Sequence, residues 1–224
     1  TGVQYSWDFN GEATAVAPSG SHTFSSNGLK TVTLTVTTTA LDGVTTLTDS
    51  YSMDMIVERS LYGEITSDLD LDGDYVLSGQ LQVRDGATLT IAAGSNIYAL
   101  SDDGNGLAPA LVVKQGGMIM AEGTAAAPIT FTANMTAEEL ADSPRGNWGG
   151  VILNGYAPIS TTGGVNFVEG LEGVPYGGTL PDDNSGVLSY VRVWHGGLSI
   201  GQDNEINVIT LAGVGSGTTV SHCE

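Results

Sequence analysis

A ladder of very short apolar runs between residues 75 and 131 constrains this chain more than any other feature. The runs are Tyr75-Val76-Leu77, Leu81-Gln82-Val83, Leu89-Thr90-Ile91, Ile97 to Leu100, Leu111-Val112-Val113, Met118-Ile119-Met120 and Ile129-Thr130-Phe131. Leu81/Val83, Leu89/Ile91 and Ile129/Phe131 alternate with a polar residue between them, the period of a half-buried strand. The separators are Ser78-Gly79, Asp85-Gly86, Ala93-Gly94, Gly116-Gly117 and Gly123, where a chain turns with little steric cost. Leu81, Leu89 and Ile97 fall 8 residues apart. Three such steps make a coil of about 24 residues, inside the window of roughly 20–50 residues that marks repeat folds. The ladder therefore predicts a parallel β-solenoid. The competing fold is one continuous β-sandwich or barrel, which 8-residue spacing also permits.

Composition agrees with an all-β chain. Charged residues are 14%, apolar residues 41%, and 32 of the 224 residues are glycine. Low charge with this apolar content argues against disorder. No run approaches about 18 uninterrupted apolar residues, so no transmembrane helix is predicted. No basic-then-apolar leader opens the given residues; any targeting segment is expected to have been removed or to lie outside them. The 25 acidic against 6 basic residues give a net charge of −19. That charge repels phosphate backbones, which excludes nucleic acid as a partner class. It also disfavours anionic glycans and membranes unless a divalent cation bridges. An acidic surface suits salty or calcium-rich surroundings outside a cell; colloidal solubility alone explains it equally well. A single cysteine, Cys223, excludes an internal disulfide and reads as a buried strand residue.

Residues 1–58 have a different texture. Tyr5-Ser6-Trp7-Asp8-Phe9 is followed by a polar loop, by His22-Thr23-Phe24, by a turn at Ser26-Asn27-Gly28, and by Thr31-Val32-Thr33-Leu34-Thr35-Val36. The last run puts Val and Leu on one face and Thr on the other, a strand with one wet side. Asp42-Gly43 signals a hairpin, and Thr46 to Val57 supplies the return strand. On Trp7, Asp8, Phe9, His22, Phe24, Gly28, Val32, Leu34 and Val36 this stretch resembles the second half of a polycystic-kidney-disease-type (PKD) repeat. The resemblance implies a partial immunoglobulin-like β-sandwich of the kind common in secreted bacterial proteins. It departs from the family's usual Gly-Asp-Gly at Asn10-Gly11-Glu12, and two strands expected before Trp7 are absent. Trp7 and His22 read as core and corner residues. Residues 59–63 read as a short linker, so that 1–58 forms one domain and 59–224 a second.

The second region carries its own resemblance. Gly86-Ala87-Thr88-Leu89-Thr90-Ile91, Gly123 to Phe131, Trp148-Gly149-Gly150-Val151, Tyr176-Gly177-Gly178, Tyr190-Val191-Arg192 and Gly213 to Thr218 resemble a right-handed parallel β-helix of large secreted or surface-anchored bacterial proteins. Within it, Met135 to Ala141 is the one helix signal, with Thr136 as N-cap and Glu139 completing a capping box. Residues 165–187 read as a Gly-, Pro- and Asp-rich insertion. The fold expected overall is all-β, a partial immunoglobulin-like sandwich followed by a right-handed parallel β-helix.

Chemistry has few places to sit. Asp68, Asp70, Asp72 and Asp74, with Gly73, reproduce the first half of an EF-hand-type loop and are the candidate Ca2+ ligands. The twelfth loop position, a bidentate acid in such loops, is Gly79, and the stretch runs straight into a strand. A solvated acidic turn is therefore the alternative. β-Helix folds also host polysaccharide lyases and hydrolases. For that chemistry the candidates are Asp182, Asp183, Arg192, His195, Asp203 and Glu205, but 3 His and 6 Lys/Arg in total are a thin supply of bases and anion-holding cations. Trp148, Trp194, Tyr156 and Tyr176 offer a sugar-stacking platform or ordinary packing. The expectation is a non-enzymatic extracellular or cell-surface structural or adhesive protein, either a filament subunit or a fragment of a larger surface protein. Its partners are then itself, head to tail, or other surface proteins, without nucleic acid or membrane insertion. The alternative is a calcium-dependent polysaccharide-binding protein, or a lyase or hydrolase of β-helix type.

Overall fold

The structure is a computed structural model that describes residues 2–24, 28–40, 42–57, 59–104, 108–168, 171, 173–201 and 204–224. The chain divides into two compact units, Thr1–Arg59 and Ser60–Glu224. In the first, β1 (Val3–Phe9), β2 (Thr14–Ala15), β3 (Gly28–Thr39) and β4 (Thr46–Val57) form one antiparallel sheet of order β2-β1-β3-β4. Only this sheet of a sandwich is present among the described residues. The alternation of β3 decides its two faces. Val36, Leu34 and Val32 sit opposite Tyr5, Trp7 and Phe9 on one side and opposite Asp49, Tyr51 and Met53 on the other. On the reverse face a ladder of hydroxyls crosses from β3 to β4: Thr33 to Ser52 at 2.8 Å, Thr35 to Ser50 at 2.9 Å and Thr37 to Thr48 at 3.1 Å, with Thr31 donating to Asp54 at 2.7 Å. Such cross-strand pairs contribute about 0.2–1 kcal/mol each.

Trp7 and His22 take packing roles. The Trp7 ring stacks 6.2 Å from Phe9, and its Nε1 donates to the Ala17 carbonyl at 3.0 Å. His22 lies between Phe9 and Phe24, 3.4 Å from the Glu12 carboxylate. Glu12, at the position where the sequence leaves the PKD pattern, also accepts a 2.8 Å bond from Lys30, a buried ammonium that sits 5.5 Å over the Phe24 ring. The expected turn at Ser26-Asn27 lies outside the described residues.

The second unit winds through coils with three strand faces. The first coil holds β5 (Ser60–Ile65) and β6 (Leu69–Leu71), the second β7 (Asp74–Val83) and β8 (Thr88–Ile91). The third holds β9 (Asn96–Ala99), β10 (Ala110–Val113) and β11 (Met118–Glu122). The fourth holds β12 (Ile129–Ala133), the helix α1 (Ala137–Asp142), β13 (Val151–Asn154), the hairpin β14 (Asn166–Phe167) and β15 (Pro175–Tyr176), and β16 (Gly186–Ser189). The fifth holds β17 (Val191–Val193), the hairpin β18 (Ser199–Gly201) and β19 (Asn204–Glu205), then β20 (Ile209–Ala212) and β21 (Thr219–Ser221). Outside the two small hairpins the described pairings are parallel: β7 beside β9, β9 beside β12, β10 beside β13, β8 beside β11. The competing antiparallel fold is thereby excluded. Leu81, Leu89 and Ile97 stand on three successive faces, one face per 8-residue step, which is the solenoid the spacing predicts. Ser60 onward already belongs to the first coil, with Leu61 and Ile65 buried, where a linker was expected.

Stacking fills the interior with like residues in register. Tyr75, Ile97, Phe131 and Val193 form one column, Leu81, Leu111 and Val151 a second, Leu89 and Ile119 a third. All join one core around Trp148, whose ring stacks on Phe131 at 6.4 Å. Burying each such side chain is worth about 1.5–3 kcal/mol. Trp148 brings Gly149-Gly150 against the next coil; a Cβ on Gly150 would lie 2.4 Å from the Asn207 carbonyl, so only glycine fits there. Residues expected to be a plain insertion do more. Leu171 and Val174 cover the outer side of the second face and bury Val112 and Ile152 against Ile206 in a second core. Strands β10 and β13 are consequently buried on both sides, the situation in which parallel strands read as unbroken apolar runs. The capping box forms as predicted: the Thr136 hydroxyl accepts from the Glu139 N–H, and Glu139 accepts from the Thr136 N–H.

Candidate functional site

The four aspartates proposed as Ca2+ ligands are spread along the chain by strand geometry. Asp70 lies inside β6 with its side chain outward, while Leu71 points inward and is buried. Only Asp70 is inside the strand, and Asp68 and Asp72 flank it; residues two apart in extended chain stand some 6.6 Å from one another, where an EF-hand loop curls its ligands together. Asp68 and Asp74 each join neighbouring coils. Asp68 accepts from the Thr88 N–H at 2.9 Å, tying the first coil to the second, and Asp74 accepts from the Asn96 amide at 2.9 Å. Among the described residues no group of three or more His, Cys, Asp or Glu side chains is placed to hold a metal ion. Asp70 thus lies on the outer side of β6, with Asp68 and Asp72 just beyond its two ends.

Asp74 instead opens a polar ladder on the outside of the first strand face. Asp74, Asn96, Thr130 and Arg192 stand side by side in four successive coils, because each strand places its even-numbered residues outward at matching register. Next to them run Tyr98 and Thr132. Partial burial pushes the Tyr98 hydroxyl above its ordinary pKa, with the nearby Asp74 charge adding to the shift. At the far end Arg192 lies 5.2 Å over the Trp194 ring, and its Nε is 3.5 Å from the Glu224 carboxylate. His195 has a left-handed backbone (φ 62°), and its Nδ1 shares a 2.7 Å hydrogen bond with the Thr132 hydroxyl. This face gathers more chemistry-bearing side chains than the sequence suggested. Spacing hid them because the lengths of the intervening excursions decide which residues become neighbours.

Of the six residues proposed for lyase or hydrolase chemistry, Arg192 and His195 meet on this face. Asp182 and Asp183 sit at another corner of the coil, before β16, where Ser185 donates to Asp183 at 3.3 Å. Asp203 and the Glu205 side chain lie outside the described residues. The four aromatics do not form one platform. Trp148 is buried in the core with its Nε1 donating to the Trp194 carbonyl at 2.8 Å, Tyr156 and Tyr176 are half-buried, and Trp194 alone is exposed, at 36%. Cys223 is half-buried beyond β21 and packs against the core.

Residues 63–224 match the family model described as a pectate-lyase like beta helix domain, and residues 1–55 match the PKD domain model. No curated protein and no solved structure matches the chain. No helix among the described residues is long and apolar enough to cross a membrane. The parallel coils, their stacked interior columns and the single antiparallel sheet ahead of them agree with both matches. The chain belongs to the pectate-lyase like β-helix family and carries a PKD domain ahead of its β-helix.

Proposed function

We propose that this chain is a non-enzymatic structural or adhesive protein that works outside the cell or on its surface. The observation that carries the reading is the use made of charged and polar groups in the β-helix: they brace one coil against the next. Glu64 in the first coil pairs with Arg84 in the second and lies 3.7 Å from Lys114 in the third. Asp68 binds the Thr88 N–H, Asp74 binds Asn96, His195 binds Thr132, and Arg192 meets Glu224. Quasi-one-dimensional scaffolds depend on such contacts between neighbouring repeats. Domains of both matched kinds typically occur in extracellular or surface proteins, which supports the location.

The second reading, a calcium-dependent polysaccharide lyase, is favoured by the family match and by the Arg192, His195 and Tyr98 face. Incubation with polygalacturonate in millimolar calcium separates the two. The structural reading expects no ultraviolet absorbance from a new conjugated double bond, and expects Arg192→Ala to lower Tm. Absorbance that grows with protein concentration and disappears in Arg192→Ala overturns it.

A further inference from the structure

We propose that a groove at the corner between the first and second strand faces binds a neutral polysaccharide chain. The inference rests on the reading of this protein as an extracellular attachment scaffold, and supplies the ligand class that such a scaffold holds. The groove is about 750 Å³ and draws on three successive coils: Tyr62 from the first, Gly79 and Gln80 from the second, Leu100, Asp102 and Asp103 from the third.

Its shape follows from short corners. In the first and second coils the chain passes directly from one face to the next at Tyr62-Gly63 and Ser78-Gly79, and in the third Leu100 to Gly104 leave β9 and form the far wall, whereas the fourth and fifth coils fill the same corner with α1 and with the β18–β19 hairpin. Gly79 forms the floor. A Cβ there would sit 3.3 Å from the Tyr62 Cβ and 3.7 Å from the Asp103 Cβ, so these two side chains flank a strip of bare backbone. Tyr62 is 70% exposed, an aromatic ring standing at the groove in contact with water.

The lining chemistry selects the ligand. A pyranose ring presents a face of C–H groups, which an exposed tyrosine ring covers, and an edge of hydroxyls, which need acceptors and donors. One Asp102 oxygen accepts from the Gly104 N–H at 2.6 Å, which leaves the other to accept from a sugar hydroxyl, and the Gln80 amide, whose oxygen accepts from Gln82 at 3.2 Å, keeps its NH2 to donate. Leu100 adds apolar surface. No lining residue is cationic, and the chain carries −19 overall, so uronate, sulfate and phosphate groups are repelled from the groove. Coils repeat at about 4.8 Å, close to the length of one pyranose unit in an extended glycan. A chain laid along the corner therefore meets a new coil at each sugar. Two carboxylates fall well short of the six or more oxygens that a calcium ion takes, so a cation is not the occupant the groove fits.

Affinity electrophoresis of the 224-residue chain in gels containing β-1,3-glucan, β-mannan, xylan or galactan tests the proposal, with polygalacturonate as the acidic comparison. The expected result is retardation by at least one neutral polymer and none by polygalacturonate, unchanged by chelator. Tyr62→Ala removes the ring platform from an exposed site, and Gly79→Val fills the floor at a backbone conformation that accepts a side chain. Each is expected to weaken binding by about tenfold or more; Tyr62→Ala is expected to leave Tm and the far-ultraviolet spectrum unchanged, and it alone decides the site if Gly79→Val, whose Cβ comes 3.3 Å from the Tyr62 Cβ, lowers Tm. Retardation that survives both variants places binding elsewhere and overturns the site. No retardation by any neutral polymer overturns the ligand class but leaves the scaffold reading intact, because that reading fails only on lyase activity. Retardation by polygalacturonate that requires calcium assigns the groove acids to a bridging cation, and likewise overturns it.

Discussion

Asp42 shows how much a single exposed side chain is conditioned by its turn. The Thr45 hydroxyl, the Thr45 N–H and the Val44 N–H all donate to it, and these bonds lower its pKa from 3.8 to about 2. A depressed carboxylate pKa contributes stability that is complete above the unfolded value and is lost as pH falls through the folded one, here between about 3.8 and 2. An NMR titration is expected to give an Asp42 midpoint near 2, and Thr45→Val should move it upward because the largest contributor is removed. The Lys30 ammonium is the opposite case, a buried charge held by Glu12. The pair is only part-buried, with Glu12 at the surface, so removing the carboxylate is expected to cost about 1.5–3 kcal/mol, the range of a hydrogen bond to a charged group. Glu12→Ala is therefore expected to unfold the PKD sheet early in a denaturant titration, while Glu12→Gln, which keeps an acceptor, should lose less.

At the scale of elements, the strands of the β-helix are too short to be stable alone and depend on the columns they build. Trp148 fills the middle of the core, so Trp148→Ala is expected to cost about 3–5 kcal/mol in urea unfolding. Gly150→Ala tests a different feature, the backbone approach to Asn207 and Val208, and should destabilise although it adds only a methyl group. Asp68→Ala leaves the Thr88 N–H without its acceptor and is expected to cost about 1 kcal/mol, with Asp68→Asn retaining most of the bond. A hydrogen-exchange measurement should find the Thr88 amide selectively deprotected in the alanine variant.

For the whole molecule, net charge and fold pull in opposite directions. A charge of −19 repels itself, and salt screens that repulsion. Tm is expected to rise with sodium chloride. Because Asp70 faces outward from β6 and Asp68 and Asp72 lie beyond its two ends, calcium is expected to add no increment over sodium at matched ionic strength. An increment that disappears in Asp70→Asn would assign these residues a calcium ion.

The solenoid was legible because its cause is local. Alternation in Leu81/Val83 and Leu89/Ile91, with a turn every 8 residues, makes those runs short strands, which the parallel pairing then assembled as a solenoid and not as a sandwich, and the capping box around Thr136 is equally a matter of a few adjacent residues. The four aspartates were legible only as a pattern of types. Alternate residues are brought together in a curled loop and held apart along one face of an extended segment, and the pairing of β6 with β8 made Leu69–Leu71 such a segment. Which side chains meet across coils was not legible at all. Thr132 reaches His195, Asp74 reaches Asn96, and Tyr62 faces Asp103 across Gly79 only after each excursion has closed to its own length and stacked its coil in register. Sequence by itself determined that this chain alternates, turns and coils. Tertiary structure decided which coil lies against which, because register between parallel strands is set by long-range packing and not by any neighbour along the chain.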